Sequence, residues 1–282
     1  MLKIENLTFT YPGRNAATIA DMTLDIPAGG IYGLLGRNGV GKSTLLYLIS
    51  GLLTPKSGKV LMEGTDTHKR LPETMASIFI VPEELTLPEI SLKDYVGINA
   101  PFYPNFSEED MRRHLETFEI DPDMPYKLTS LSMGQRKKVF MSFALACNTP
   151  LVLMDEPTNG LDIPGKMAFR RFVASSADEN RTIIISTHQV RDIDSLLDHV
   201  LIIDSEHVLL DATTADIASK LAFVHTSDPE LVARALYSQP GVGGISAVLP
   251  NDGSFDTEIN LECLFELASR QPAMLAQIFG KK

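Results

Sequence analysis

The chain has 282 residues, 44% hydrophobic and 22% charged, the balance of an ordinary soluble globular protein with room for one large or two modest cored domains. Its formal net charge of −11 argues against a nucleic-acid partner, because phosphate backbones are normally met by a basic surface. The two cysteines, Cys147 and Cys263, match no metal spacing and fit a reducing compartment without a disulfide framework.

The chain starts Met-Leu-Lys-Ile-Glu-Asn, with no signal-peptide apolar segment, and no apolar run approaches the ~18 residues of a membrane-spanning helix. If a membrane matters, another chain is expected to cross it. Residues 2–10 alternate as a strand, Pro12 to Asn15 reads as a turn, and 18–26 is a second strand broken by Pro27-Ala28-Gly29-Gly30.

The apolar run Ile31 to Leu35 then leads into Gly36-Arg37-Asn38-Gly39-Val40-Gly41-Lys42-Ser43-Thr44, followed by Leu45 to Ile49 and Gly51. This pattern predicts a buried strand, a glycine-rich turn and a helix whose N-terminus faces the turn. The first amides of a helix lack internal partners and carry the positive end of its dipole, so they bind anions. Glycines let the turn curl its amides onto phosphate oxygens. Lys42 adds a point charge for the β- and γ-phosphates, and the Ser43 hydroxyl is placed to ligate Mg²⁺. A chain of this length shows such a string by accident about once in a hundred. We read it as a nucleoside-triphosphate P-loop.

Residues 57–64 form a further strand and turn, and these short strands suggest an antiparallel sheet beside the nucleotide fold. Ile78 to Val81 is continuously apolar, as in a strand buried on both faces. From 87 to 149 the reading is helical with no clear strand, including a helix capped at Ser107 that runs to Ile120. The run Arg136-Lys137-Lys138, on a predicted amphipathic helix 136–147, reads as a solvated helix face. Strands return at 151–154, 182–185 and 200–203, with helical segments near 164–178 and 189–197 between them. That alternation signals a parallel sheet with crossover helices. Beyond Asp204 the expectation is a strand at 206–210, a helix at 213–221, a hairpin of 245–249 with 255–259 around Asn251-Asp252-Gly253, and helices at 261–267 and 273–279.

At Leu151 to Glu156 an apolar strand ends in two carboxylates, and such an end faces the ligand crevice of a parallel sheet. Asp155 is placed to hold Mg²⁺, and Glu156 to orient an attacking water and accept its proton. Ser132 and Gly134, in Leu131-Ser132-Met133-Gly134-Gln135, can present amides and a hydroxyl to an anion; a plain serine N-cap would read the same. His188 closes the strand 182–185 and should reach the same sheet edge as Asp155, where it could stabilise charge.

In their order along the chain, the P-loop, the Leu131–Gln135 segment, Asp155-Glu156-Pro157-Thr158, Asn159-Gly160-Leu161-Asp162 and His188 resemble the ATP-binding cassette family over most of residues 1–210. The resemblance implies an α/β fold of the P-loop NTPase, RecA-like kind. Its parallel sheet would carry an N-terminal antiparallel β subdomain and an inserted helical subdomain at about 87–149. The ATPase domain would span 1–210, and 211–282 would be a small accessory α+β extension. It implies a head-to-tail homodimer, or heterodimer with another such ATPase subunit, sandwiching ATP and Mg²⁺ between the P-loop of one chain and Ser132, Gly134 and Gln135 of the other. Tyr11 matches the family's adenine-stacking aromatic, with Phe9 a neighbouring alternative.

One position departs from the pattern. Where the family has a glutamine near the metal and the attacking water, this chain reads Val81-Pro82-Glu83-Glu84, so that by register Glu83 takes the glutamine's place. A glutamine donates and accepts hydrogen bonds, whereas an ionised carboxylate only accepts. Glu83 is therefore either a direct or near Mg²⁺ ligand, or turned away with water in its place.

The function implied is the ATP-hydrolysing subunit of a transporter, cytoplasmic and peripheral at the inner face of the membrane, driving separate integral membrane permease subunits, with export preferred. A soluble cassette ATPase outside transport, of the cluster-assembly type, is the alternative. A non-hydrolysing nucleotide binder is disfavoured by the presence of both Glu156 and His188.

Overall fold

The structure, a computed structural model, describes residues 1–280. It begins with β1 (Leu2–Phe9) and β2 (Ile19–Ile26), paired antiparallel with Leu2 opposite Ile26. Leu2, Ile4, Leu7 and Phe9 all point into the core although the spacing changes from two to three after Ile4. A bulge at Asn6, whose φ is 46°, absorbs the extra residue. Next come β3 (Gly30–Leu35), α1 (Lys42–Ile49), β4 (Ser57–Met62), β5 (Thr65–Asp66), the single-turn α2 (Pro72–Met75) and β6 (Ile78–Val81). The first sheet has the order β2-β1-β4-β5 and is antiparallel throughout.

Three helices follow: α3 (Leu92–Asn99), α4 (Glu108–Thr117) and α5 (Met133–Ala146). Ser91 and Ser107 cap the first two by accepting from Asp94 and Asp110 amides, each at 3.1 Å. The second half of α5, Met141 to Ala146, is buried on every side, so this helix is not the amphipathic one that its sequence predicted.

The remaining elements are β7 (Leu151–Asp155), α6 (Ile163–Ser176), β8 (Thr182–Ser186), β9 (His199–Ile203), β10 (Val208–Thr213), α7 (Thr214–Lys220), β11 (Leu221–Thr226), α8 (Pro229–Ala233), β12 (Tyr237–Gly241), β13 (Gly244–Pro250), α9 (Leu261–Arg270) and α10 (Pro272–Phe279). The main sheet has the order β10-β9-β3-β8-β7-β6, parallel except for β10 at its edge. Side chains alternate between its two faces. Val152, Met154, Ile183 and Ile185 join the core under α5 and α6, whereas Leu151, Leu153 and Ile184 join the one shared with α1 and the antiparallel sheet. Apolar residues on both faces are what a covered parallel sheet requires. Among the described residues, no helix is long and apolar enough to cross a membrane.

The C-terminal segment differs from expectation in one element. Residues 255–259 are not a strand, because β13 is the central strand of the order β11-β13-β12 and has no free edge. Its partners, β11 and β12, lie earlier in the chain, and the edge position of β12 tolerates Pro240. Asn251 instead ties the turn to α7, donating to Ala218 O at 2.8 Å, and Thr257 accepts from the Phe223 amide at 2.9 Å. The expected helix 189–197 is two short 3₁₀ turns, Val190–Asp192 and Asp194–Leu196. Leu264, Leu267 and Leu275 share the core of the main sheet, so residues 261–279 pack on that sheet's core as a continuous apolar layer. The edge strand β10 itself runs across the 210/211 position.

Candidate active site

The register of the parallel strands brings four chain segments to one edge. Asp155 lies opposite Ser186, Ser186 opposite Leu34, and Val81 opposite Met154. The loops that leave β3, β6, β7 and β8 therefore emerge side by side, at the carboxyl ends where parallel sheets bind ligands.

Between β3 and α1, Gly39 and Gly41 take φ values of 82° and 107°. A Cβ on Gly41 would lie 3.1 Å from Thr18 O, and one on Gly36 would lie 2.9 Å from Ile203 O and 2.8 Å from Val40 Cγ2. Gly36 and Gly41 thus pass too close to neighbouring chain for a side chain. Arg37, Asn38 and Gly39 are exposed on the outer curve, and Val40 closes the turn by donating its amide to Arg37 O at 3.3 Å. Lys42 is buried and reaches back across the loop, donating to Gly36 O at 2.8 Å and to Arg37 O at 3.4 Å. Burial lowers its pKa, and the carboxylates of Glu156, Asp155 and Glu83 oppose that shift. Thr44 shares a hydrogen bond of 3.1 Å with the Tyr11 hydroxyl. Tyr11 packs edge-on against Phe9 at 4.8 Å; Phe9 is itself a core residue, so Tyr11 is the aromatic of the two with an accessible face.

Asp155 is 1% exposed and accepts hydrogen bonds from the Ser186 and Ser43 hydroxyls. Burial raises its pKa, the two hydroxyls lower it, and Glu83 and Glu156 push it up again. A buried carboxylate beside two others gains from a nearby cation. Among the described residues, no group of three His, Cys, Asp or Glu side chains is arranged to hold a metal alone. One carboxylate and one hydroxyl next to a phosphate cradle fit Mg²⁺, which takes few protein ligands and completes its shell with phosphate oxygens and water.

Glu156 is 5% exposed and sits at φ 44°, a left-handed conformation that costs a non-glycine residue about 1–2 kcal/mol. Its amide donates to Ser186 O at 2.9 Å, and its carbonyl accepts from Lys137 Nζ at 2.9 Å. The carboxylate accepts from the Thr187 hydroxyl at 2.9 Å, the His188 amide at 3.0 Å and His188 Nδ1 at 2.7 Å. With a carboxylate as the acceptor, Nδ1 carries the proton.

Glu83 is exposed, yet its side chain is tethered to the site's edge. Its Oε1 accepts from Asn159 Nδ2 at 3.0 Å, Asn159 Oδ1 accepts from Gln189 Nε2 at 2.8 Å, and Gln189 Oε1 accepts from Lys166 at 2.8 Å. Thr187 and Gln189 carry no signal of their own in the sequence, and Asn159 enters there only as part of the Asn159-Gly160-Leu161-Asp162 motif. Lys137 is buried, not on a solvated face as its basic run suggested.

The segment at the start of α5 lies apart from this cluster. Ser132 and Gln135 form a closed capping box, with Gln135 N donating to Ser132 Oγ at 3.3 Å and Ser132 N to Gln135 Oε1 at 3.0 Å. Gly134 approaches Gly160, where an added Cβ would lie 3.1 Å from the carbonyl. The structure thus brings together Tyr11, Gly36 to Thr44, Glu83, Asp155, Glu156 and His188, and leaves Ser132 and Gln135 exposed at a separate surface.

Residues 19–159 match a family model described as ABC transporter. The chain is 33% identical over 215 residues to the arabinose import ATP-binding protein AraG 2 of Burkholderia ambifaria, covering 72% of this chain and 40% of that longer protein. It is 30% identical over 197 residues to the ABC transporter ATP-binding protein NatA of Bacillus subtilis, covering 68% of this chain and 80% of the relative. Among solved structures, an ATP-binding subunit of an ABC transporter superposes with a TM-score of 0.68 at 25% identity, over 77% of this chain and 91% of that one.

Proposed function

The chain belongs to the ABC transporter family, and on that premise we propose that it is the ATP-binding and ATP-hydrolysing subunit of a transporter whose membrane path is supplied by separate integral membrane chains. The observation that carries this reading is the convergence of Lys42, Ser43, Asp155, Glu156 and His188 on one carboxyl sheet edge.

In this reading the amides of Gly36 to Thr44 hold the ATP phosphates, Lys42 meets the β- and γ-phosphates, and Tyr11 faces the adenine. Ser43 and Asp155 hold Mg²⁺, with Glu83 beside them. Bound there, Mg²⁺ offsets the charge on the phosphate oxygens. Glu156 orients the attacking water and takes its proton as the bond to the γ-phosphoryl group breaks, giving ADP and inorganic phosphate. His188 compensates charge on the transferred group.

Ser132, Gly134 and Gln135 complete the site from a second copy or a close relative. Support comes from the exposure of Ser132 and Gln135, whose side chains, among the described residues, hydrogen-bond only within their shared capping box. Residues 1–210 act as the ATPase domain, with the helical part at about 87–149 passing its motion to the membrane partner, and 211–282 as an accessory extension. The protein then works at the cytoplasmic face of the membrane. We take the direction as export from the single-cassette character of residues 1–210. The arabinose relative is an importer by its printed name, and uptake against efflux in oriented vesicles distinguishes the two.

The deciding experiment is affinity purification of the full chain from detergent-solubilised membranes. An integral membrane protein retained in stoichiometric amount supports transport. A soluble scaffold retained in its place contradicts it.

A further inference from the structure

Lys137 is 4% exposed, in the second turn of α5. Its Nζ donates to two backbone carbonyls, Glu156 O at 2.9 Å and Asn159 O at 3.1 Å. The first belongs to the residue held at φ 44°, and the second to the residue whose side chain bridges Glu83 and Gln189. One ammonium group therefore ties down both the strained turn that aims the Glu156 carboxylate and the residue that holds Glu83.

The same group matters for charge. Glu83, Asp155 and Glu156 gather three carboxylates at one edge, two of them almost fully buried, and Lys42 and Lys137 are the buried lysines that face them. A buried charge without a partner is costly, and Lys42 is directed at the phosphate cradle. Lys137 instead spends its hydrogen bonds on the carbonyls of Glu156 and Asn159.

We propose that Lys137 is a positioning residue for the Glu156 base and a counter-charge to the Glu83–Asp155–Glu156 cluster. The first half rests on the ATPase reading given above; the second does not.

The test uses the full chain with Lys137→Gln, Lys137→Met, Glu83→Gln, and Lys137→Met combined with Glu83→Gln. Lys137→Gln keeps an N–H donor without the charge, and Glu83→Gln keeps the acceptor for Asn159 while removing its charge. For Lys137→Met, kcat for ATP is expected to fall about tenfold or more while KM for ATP stays within about twofold, the mark of a misplaced base. Thermal unfolding in chelator, without nucleotide, gives an independent readout. Glu83→Gln should raise Tm in the Lys137→Met background by about 3 °C more than it does in the wild type. If Lys137→Met does not fold, Lys137→Gln carries the same cycle. A kcat within twofold of wild type, or a parallel rise of KM, overturns the positioning role. Equal Tm changes in the two backgrounds overturn the counter-charge role. Absence of turnover in the wild type would refute the ATPase reading itself and leave the Tm cycle to decide the charge.

Discussion

The Glu156 carboxylate and the His188 ring are joined at 2.7 Å through Nδ1, and the His188 amide donates to the same carboxylate oxygen at 3.0 Å. The base and the histidine thus form one unit before any nucleotide arrives. Removing the ring leaves Glu156 held by Thr187 and the amide, so His188→Ala should spare nucleotide affinity. Single-turnover rates are expected to fall about 10²-fold or more, since a charge-compensating donor is lost. Loss of binding in parallel with rate would assign His188 to the ground state instead.

Glu83 stands beside Asp155 and is held by Asn159 at 3.0 Å. If its charge helps retain the metal, Glu83→Gln should raise the Mg²⁺ concentration for half-maximal ATPase by about tenfold. An unchanged Mg²⁺ titration would exclude a role near the metal.

The two left-handed glycines of the phosphate loop should respond differently to alanine. At Gly41 both the φ of 107° and Thr18 O at 3.1 Å oppose a Cβ, whereas at Gly39 nothing lies within 4 Å. Gly39→Ala carries the backbone cost alone, about 1–2 kcal/mol. Gly41→Ala adds a clash and should weaken binding of a fluorescent ATP analogue by about tenfold more than Gly39→Ala does, as measured by titration.

His114 is buried edge-on against Phe172, and its pKa is lowered to about 4, chiefly by burial and further by Arg113. The unfolded chain takes up this proton as pH falls through the ordinary histidine value of 6.5, while the folded protein does so only near 4. Its stabilising contribution is therefore complete above 6.5 and is lost progressively from there down to 4, by up to roughly 3 kcal/mol. Urea-unfolding free energies from pH 7.5 to 4.5 should fall more steeply for the wild type than for His114→Gln. Equal slopes would show that the ring is solvated when folded.

Much of the site was legible because its parts are local. A strand, a glycine turn and a helix are contiguous at Gly36 to Thr44, and Asp155 and Glu156 follow directly on an apolar strand. Lys137 was not legible from composition, since a lysine between Arg136 and Lys138 looks solvated. Helical spacing carried the better signal: Lys137 falls on the face of Met141 and Ala144, both fully buried. The hairpin expected at 255–259 failed for a different reason. The turn at Asn251 to Gly253 forms, but both edges of β13 are taken by strands contributed earlier in the chain, and strand partners at long range leave no local mark. The bond of Glu83 to Asn159 spans 76 positions and is equally invisible in sequence.

In the proposed reaction this sheet edge hydrolyses ATP with Glu156 as the base. Parallel measurement of ATP binding and steady-state turnover for the wild type and Glu156→Gln tests it most directly. Mg²⁺-dependent turnover is expected in the wild type, with a loss of about 10³-fold or more in Glu156→Gln and ATP affinity retained in both. Turnover that survives in Glu156→Gln would contradict it.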